Sequence, residues 1–179
     1  MSDKIYLDAN SLLHNSFLLA RKILDSGFTP DLIIALWRGG TPVGIAVHEF
    51  LLRKGMNCRH TAVKTASYSG IETHGEVVIE NLDHVLDTLA PGSKVLVVDD
   101  IFDTGRTAVA IKRALARRTT SVRFAMVYYK PARNETGITP DYFINVTDTW
   151  LVFPHEIIGL TDDEIKVKDA RLYEMLGRE

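Results

Sequence analysis

Cysteine is almost absent from this chain, with Cys58 standing alone among 179 residues. A single thiol cannot close an internal disulfide, and no zinc site built on cysteines can form. Long apolar runs are missing as well; none approaches the roughly 18 residues that suggest a membrane-crossing helix. The opening MSDKIYLDAN is polar and lacks the apolar centre of an export signal. These absences predict a cytoplasmic protein with no membrane partner. Neither charge is in surplus: 21 Lys and Arg stand against 23 Asp and Glu, a formal net charge of −2. The broad basic footprint of a nucleic-acid binder is therefore lacking, and any anion site must be built locally. No repeat, low-complexity tract or long linker divides the chain, so residues 1–179 are expected to form one domain. With 46% hydrophobic residues it has the means for one real core.

What is present is an alternation of apolar strands and amphipathic helices. Residues 7–26 carry apolar side chains at helical spacing and end at Gly27. Asp31-Leu32-Ile33-Ile34-Ala35-Leu36 is a continuous apolar run of strand length that leads into Arg38-Gly39-Gly40. A helix is expected over 42–54, strands over 59–67 and 77–79, and a helix over 81–89. Val95-Leu96-Val97-Val98 is the clearest buried strand. A helix over 107–116, strands over 123–129 and 142–146, and a terminal helix opened by the capping box Thr161-x-x-Glu164 complete the pattern. Such alternation predicts an α/β domain with a mostly parallel, twisted sheet flanked by helices. Ligands of such sheets sit beyond the carboxyl ends of the strands.

One strand end is unusually rich in chemistry: Val98-Asp99-Asp100-Ile101-Phe102-Asp103-Thr104-Gly105-Arg106-Thr107. A buried strand delivers adjacent carboxylates to the sheet edge, and a short loop then opens a helix. The first N–H groups of a helix have no internal partner, and the helix dipole is positive there. Residues 103–107 thus have the makings of a phosphate cradle, with Gly105 allowing close backbone approach. Phosphate in the loop and carboxylates beside it suggest a phosphorylated sugar. Nucleotide hydrolases also end strands in acids, but their Gly-x-x-x-x-Gly-Lys-Ser/Thr string is absent, as is Gly-x-Gly-x-x-Gly.

Four apolar residues, two acids, two further residues and Asp-Thr-Gly-x-Thr resemble the phosphoribosyl pyrophosphate (PRPP) motif of the type I phosphoribosyltransferases. Trp37-Arg38-Gly39-Gly40 lies where that family has its pyrophosphate loop, and Ser67-Tyr68 is similar to the mobile catalytic loop of its purine branch. Val127-Tyr128-Tyr129-Lys130-Pro131-Ala132 and Asp148-Thr149-Trp150-Leu151-Val152-Phe153-Pro154-His155-Glu156 resemble the base-binding region of xanthine–guanine and hypoxanthine phosphoribosyltransferases. The resemblance spans residues 38–156 in the family's order. It implies the type I phosphoribosyltransferase fold, with a small hood built from the N- and C-terminal segments. It also implies a purine salvage enzyme that moves the 5-phosphoribosyl group from PRPP to N9 of a 6-oxopurine. Which 6-oxopurine is preferred stays open.

The resemblance implies the following roles. Asp99 and Asp100 hold the ribose hydroxyls, directly or through Mg²⁺. The backbone of Asp103, Thr104, Gly105, Arg106 and Thr107 holds the 5-phosphate. Asp103 acts as general acid/base at N7, although a helix cap is its ordinary reading. Arg38, Gly39 and Gly40 cradle pyrophosphate, and the bond from Trp37 to Arg38 is expected to be cis. Trp150 stacks on the base, as against an ordinary core tryptophan. Lys130 donates to the 6-oxygen, the Leu151 carbonyl meets N1 or the 2-position, and Glu156 reaches a second Mg²⁺ through water. Family members are usually dimers or tetramers, so a homodimer or homotetramer is expected. The alternative is a non-catalytic regulator with the same fold that senses PRPP or purines; about 30 residues before the first sheet strand leave no room for a winged helix. The helix after Thr161 has three open readings: lid, interface or packing.

Overall fold

The computed structural model describes residues 4–70 and 73–177, with side chains for 4–66 and 77–177. Its main sheet has six strands: β2 (Leu32–Trp37), β3 (Arg59–Gly70), β4 (Thr73–Glu80), β5 (Val95–Phe102), β6 (Val122–Tyr129) and β7 (Tyr142–Val146). Their order is β4-β3-β2-β5-β6-β7. Every neighbouring pair is parallel except β3–β4. The central strands β2 and β5 are the apolar runs predicted above, and their sequences are continuous because both faces of the sheet are covered. The chain winds from β2 outward to β3, and β5 returns on the other side of β2. The β2–β5 seam is therefore the topological switch point, where ligands bind beyond the carboxyl ends.

On one face Ile34, Leu36, Val95, Val97, Phe124 and Met126 pack against α3 (Leu82–Thr88) and α4 (Arg106–Leu115). Ala108, Ile111 and Leu115 present one stripe of α4 to that core. Full burial of a residue such as Ile111 or Leu115 stabilises by about 1.5–3 kcal/mol, which anchors the amino end of α4 at the sheet edge. On the other face α2 (Gly40–Arg53) lies close to β2. A methyl at Gly44 would stand 2.6 Å from the Ala35 Cβ, so glycine sets that approach.

The contacts divide the chain into two compact units. The larger is Asn10–Asp148; the smaller joins the chain before Asn10 to the chain after Asp148. The smaller unit holds β1 (Lys4–Tyr6), β8 (Trp150–Val152), α5 (Asp162–Lys168) and α6 (Ala170–Leu176). It is the separate element that the resemblance implied for the terminal segments.

Several elements differ from expectation. Helix α1 (Ala9–Asp25) starts later than residue 7 and buries Leu12, Ser16, Leu19, Ala20 and Ile23, leaving Leu13, Phe17 and Leu18 exposed. Strands β3 and β4 run well past residue 67 and begin before 77, because they pair with each other as an antiparallel edge. Strands β1 and β8 had no periodic signal at three residues each, and they pair in parallel across the length of the chain. The terminal helix is two helices. Asp169 ends α5 with extended backbone and caps α6, accepting from the Arg171 and Leu172 amides at 2.9 and 3.1 Å.

Candidate active site

The two loops singled out in the sequence meet at the β2–β5 seam. The Trp37–Arg38 peptide bond is cis, as expected. Arg38 is exposed, whereas Gly39 and Gly40 press on the end of β5. A methyl on Gly39 would lie 2.0 Å from Asp100 Oδ2; one on Gly40 would lie 2.4 Å from the Val98 carbonyl oxygen and 2.9 Å from the Asp99 Cα. Gly39 has ordinary right-handed backbone angles, φ −64 and ψ −32. Glycine is therefore needed there for space, not for conformation.

Asp99 and Asp100 form a strained electrostatic pair. Asp100 is buried, and its amide donates to Asp99 Oδ1 at 3.0 Å. Burial is the first cause that raises the Asp99 carboxyl well above the usual carboxylate range, and the neighbouring Asp100 charge is the second. Hydrogen bonds from the Asp100 and Gly40 amides oppose the rise. Part of the Asp99 residue remains accessible, while its carboxyl lies under the Gly40 loop.

Beyond β5 the chain turns through residues 103–105 into α4. Gly105 adopts φ +81 at the helix N-cap, and no side chain caps that end. Among the described residues the first-turn amides have one side-chain acceptor, Thr104 Oγ1, at a long 3.4 Å from the Arg106 amide. These open amides, with Thr104 and Thr107 half-buried beside them, are suited to an anion. A small cavity of about 70 Å³ is lined here by Asp99, Asp103, Thr104, Gly105 and Thr107.

The segment after β6 braces this loop, and nothing in the sequence pattern announced it. The Glu135 amide donates to the Thr104 carbonyl at 3.0 Å, and Glu135 Oε2 accepts from Arg106 Nε at 2.7 Å. Arg133 Nε stands 2.8 Å from Asp103 Oδ1. That approach is an ion pair rather than an aligned hydrogen bond, since Asp103 Oδ1 is buried with no hydrogen-bond partner among the described residues. Lys130, at the carboxyl end of β6, is buried at 4% exposure, and its amide extends the β5 pairing by donating to the Phe102 carbonyl at 2.9 Å. Arg133 and Glu135 were legible only as residues close to Lys130, because their partners lie about 30 positions away.

The remaining expected residues lie elsewhere. Ser67 and Tyr68 fall within β3, but their side chains are outside the described residues. Trp150, Leu151 and Glu156 belong to the smaller unit. Trp150 is 54% exposed, so it is not the buried core tryptophan of the ordinary reading; Leu151 is buried. Glu156 closes a turn: its Oε2 accepts from the Phe153 amide at 2.9 Å, and its amide donates to the Phe153 carbonyl at 3.0 Å. One carboxylate oxygen expected at a metal is thus engaged with backbone. Among the described residues no three His, Cys, Asp or Glu side chains are grouped to hold a metal. A cavity of about 940 Å³ opens at the amino ends of β2 and β3 around Asp31, His48 and Arg59. The parallel-sheet rule and the chemistry above make the carboxyl end the candidate site. Cys58 also lines that distant cavity; burial pushes its thiol up, away from reactivity.

An α/β sheet whose switch point carries paired carboxylates, a glycine loop and an open helix end defines a binder of phosphorylated sugars. The match to known families gives the class its name. A model described as phosphoribosyl transferase domain matches residues 2–158, and the chain belongs to that family. It is a phosphoribosyltransferase of the type I fold. A xanthine-guanine phosphoribosyltransferase of Desulfotalea psychrophila is 30% identical over 148 residues, covering 81% of each chain. A purine phosphoribosyltransferase from Pyrococcus horikoshii has the same fold, with TM-score 0.71 and 24% identity over 89% of this chain and 97% of its own. A hypothetical protein from Neisseria gonorrhoeae with bound ppGpp superposes with TM-score 0.74 and 25% identity, covering 96% of this chain and 98% of its own. Among the described residues no helix is long and apolar enough to cross a membrane.

Proposed function

We propose that the enzyme transfers the 5-phosphoribosyl group of PRPP to N9 of a 6-oxopurine and releases pyrophosphate, as a cytoplasmic purine salvage enzyme. The observation that carries this reading is the seat of Gly39 and Gly40 on Asp99 and Asp100, with the open end of α4 beside them. Similarity to a xanthine-guanine phosphoribosyltransferase supports the choice of base. In this reading the amides of residues 104–107 hold the 5-phosphate, Asp99 and Asp100 take the ribose hydroxyls, and Arg38 with Gly39 and Gly40 takes pyrophosphate. Lys130 donates to the 6-oxygen, and in the smaller unit Trp150 stacks on the base while the Leu151 carbonyl meets its edge.

The chemistry follows from these roles. The bond from C1 to pyrophosphate breaks with its electron pair leaving on oxygen, and the N9 lone pair forms the new bond to C1. The proton at N7 passes to Asp103, whose carboxylate is held beside the loop by Arg133. Arg38 and the loop amides stabilise the charge developing on pyrophosphate. The Ser67-Tyr68 segment is assigned the exclusion of water. The donor set fits Mg²⁺: two adjacent carboxylates at the strand end suit a cation that completes its shell with substrate oxygens and water. Asp99 and Asp100 would hold it, and Glu156 a second ion through water. When bound, it neutralises charge on the leaving group. We also propose a homodimer or homotetramer; Trp37, Ile45 and Leu52 expose apolar surface at the end of β2 and along α2.

A second reading has its own observation. The Neisseria gonorrhoeae neighbour holds ppGpp, which joins guanine to two diphosphates and so presents the same features as base plus pyrophosphate. On this reading ppGpp binds here in competition with PRPP. The test is turnover of hypoxanthine, guanine, xanthine, adenine and orotate with PRPP and Mg²⁺, with and without ppGpp. The expected result is nucleotide from oxopurines only, lost in Asp103→Asn and inhibited by ppGpp. Tight PRPP or ppGpp binding with no turnover of any base would favour the sensing regulator. Turnover of orotate would overturn the oxopurine assignment.

A further inference from the structure

The family match ends at residue 158, yet the segment beyond it is tied to the strand that carries Trp150 and Leu151. Strand β8 is held along one side by β1, with Lys4 opposite Trp150 and Ile5 opposite Leu151. The Leu7 amide then donates to the Val152 carbonyl at 2.9 Å. The chain leaves β8 through a turn over residues 153–156, closed by Glu156 as described. Helix α5 reaches both parts. Lys168 Nζ donates to the Phe153 carbonyl at 2.6 Å and also to the Glu156 carbonyl. At the other end of the helix Glu164 pairs with Lys4.

The sequence of α5 is arranged for this double attachment. Thr161 and Glu164 form a reciprocal capping box, and Asp162, Asp163 and Glu164 put acids in the first turn, where the helix dipole favours them. Ile165 is the buried residue of the helix and pins it within the smaller unit. One turn further on than Glu164, Lys168 projects to the same side and meets the Phe153 and Glu156 carbonyls of the turn. A seven-residue helix is too short to persist alone. Its form depends on these anchors, and they in turn depend on it.

We infer that Lys168 is a positioning residue for base recognition: from outside the family's domain it fixes the turn that ends β8, and so holds the Trp150 ring and the Leu151 carbonyl in place. This rests on the proposed base-facing roles of those two residues. Of the three open readings for the C-terminal helix, it selects packing with a specific purpose. The ammonium group supplies two donors to carbonyls of one turn. An apolar side chain of the same length would fill the space and leave the turn unclasped.

The experiment compares Lys168→Met, Lys168→Arg and Glu164→Gln in the full chain. For each, KM is measured for PRPP and for whichever oxopurine the wild type turns over, and amide hydrogen exchange is followed over residues 150–156. Loss of one charge-assisted clasp predicts a rise of about tenfold in base KM for Lys168→Met, with PRPP KM within about twofold. Lys168→Arg restores most of the base KM. Glu164→Gln keeps the capping box, since Gln serves at that position, but loses the charge pair with Lys4, giving a smaller rise of about twofold to threefold in base KM alone. Exchange over 150–156 quickens in Lys168→Met. Unchanged base KM, or base and PRPP KM rising together, overturns the inference. If the wild type turns over no base, the functional reading fails by itself. The exchange data then decide alone, and unaltered protection of 150–156 in Lys168→Met refutes the clasp.

Discussion

Replacing Gly40 by alanine tests the site at its tightest point. The added methyl would sit 2.4 Å from the Val98 carbonyl oxygen and 2.9 Å from the Asp99 Cα. Both are backbone atoms of the central strand β5, so neither can rotate away. The seam between β2 and β5 has to open, or the Arg38 loop has to lift. Overpacking of this kind costs about 1–3 kcal/mol, or about 2–12 °C in melting temperature for a chain of this size. Gly39→Ala makes a shorter contact, 2.0 Å, but with the Asp100 carboxylate, a side chain that can swing aside. Since Gly39 has helical backbone angles, alanine there would otherwise stabilise by about 0.4–1 kcal/mol through the unfolded chain. The two variants should therefore separate. Gly40→Ala loses stability and activity together, whereas Gly39→Ala keeps a melting temperature near wild type and raises PRPP KM by about tenfold or more, because it displaces Asp100. Gly55→Ala, at φ +84 with nothing within 4 Å of the added methyl, reports strain alone and leaves both KM values unchanged. Calorimetry with steady-state kinetics decides the matter. A Gly40→Ala enzyme as stable and active as wild type would refute the packing of the loop on β5.

Asp99→Asn should stabilise the ligand-free protein at neutral pH while abolishing turnover. The amide keeps the acceptor for the Asp100 and Gly40 amides and removes a buried carboxyl beside a like charge, a gain of about 1–2 kcal/mol. The sign with pH follows from a carboxyl raised in the folded state. Wild-type stability is unpenalised below the ordinary carboxylate pKa and falls as pH rises through the raised one, so the advantage of Asp99→Asn vanishes near pH 4 and grows toward pH 7. Melting curves in chelator across that range test it, and a destabilised Asn variant at neutral pH refutes it. Arg133→Met should change stability by less than about 1 kcal/mol, since the pair with Asp103 is half-exposed. It should still lower kcat about tenfold by freeing the Asp103 carboxylate, and an unchanged kcat would mean that the helix end alone orients Asp103.

Much of this site was legible because its parts are local in sequence. A buried strand followed by Asp99-Asp100, and Gly105 opening α4, encode strand, turn and helix within a dozen residues, and each step has its own chemistry. Arg38-Gly39-Gly40 was legible as a loop at a strand end. Its need for two glycines became clear only when β5 was found beneath it, since space is set by a neighbour about 60 positions away. The same reason hid the bracing segment. Arg133 and Glu135 carried no signal of their own, because their partners Asp103 and Arg106 lie about 30 positions away. Strands β1 and β8 were invisible because three residues carry no period, and the break at Asp169 was missed because an aspartate within a helical pattern does not by itself distinguish surface from cap.

The bracing segment also resolves the tension between an anionic ligand and a chain with no basic surplus. Two arginines flank the phosphate loop, and both are already committed, Arg106 to Glu135 and Arg133 to Asp103. Neither is a loose cation waiting for phosphate; each is balanced by an acid that holds the loop in shape. The attraction left for the 5-phosphate is that of the unpaired amides at the start of α4, fixed in direction by Gly105 and by the apolar stripe Ala108, Ile111 and Leu115 beneath. An amide cradle of this kind contributes through geometry, and it is indifferent to the net charge of −2. Pyrophosphate differs, since it must be released, and there the chain offers an exposed arginine, Arg38. On the proposed roles, the two ends of PRPP are held by different means: neutral donors pinned to the core for the group that stays on the sugar, and a solvent-facing cation for the group that leaves.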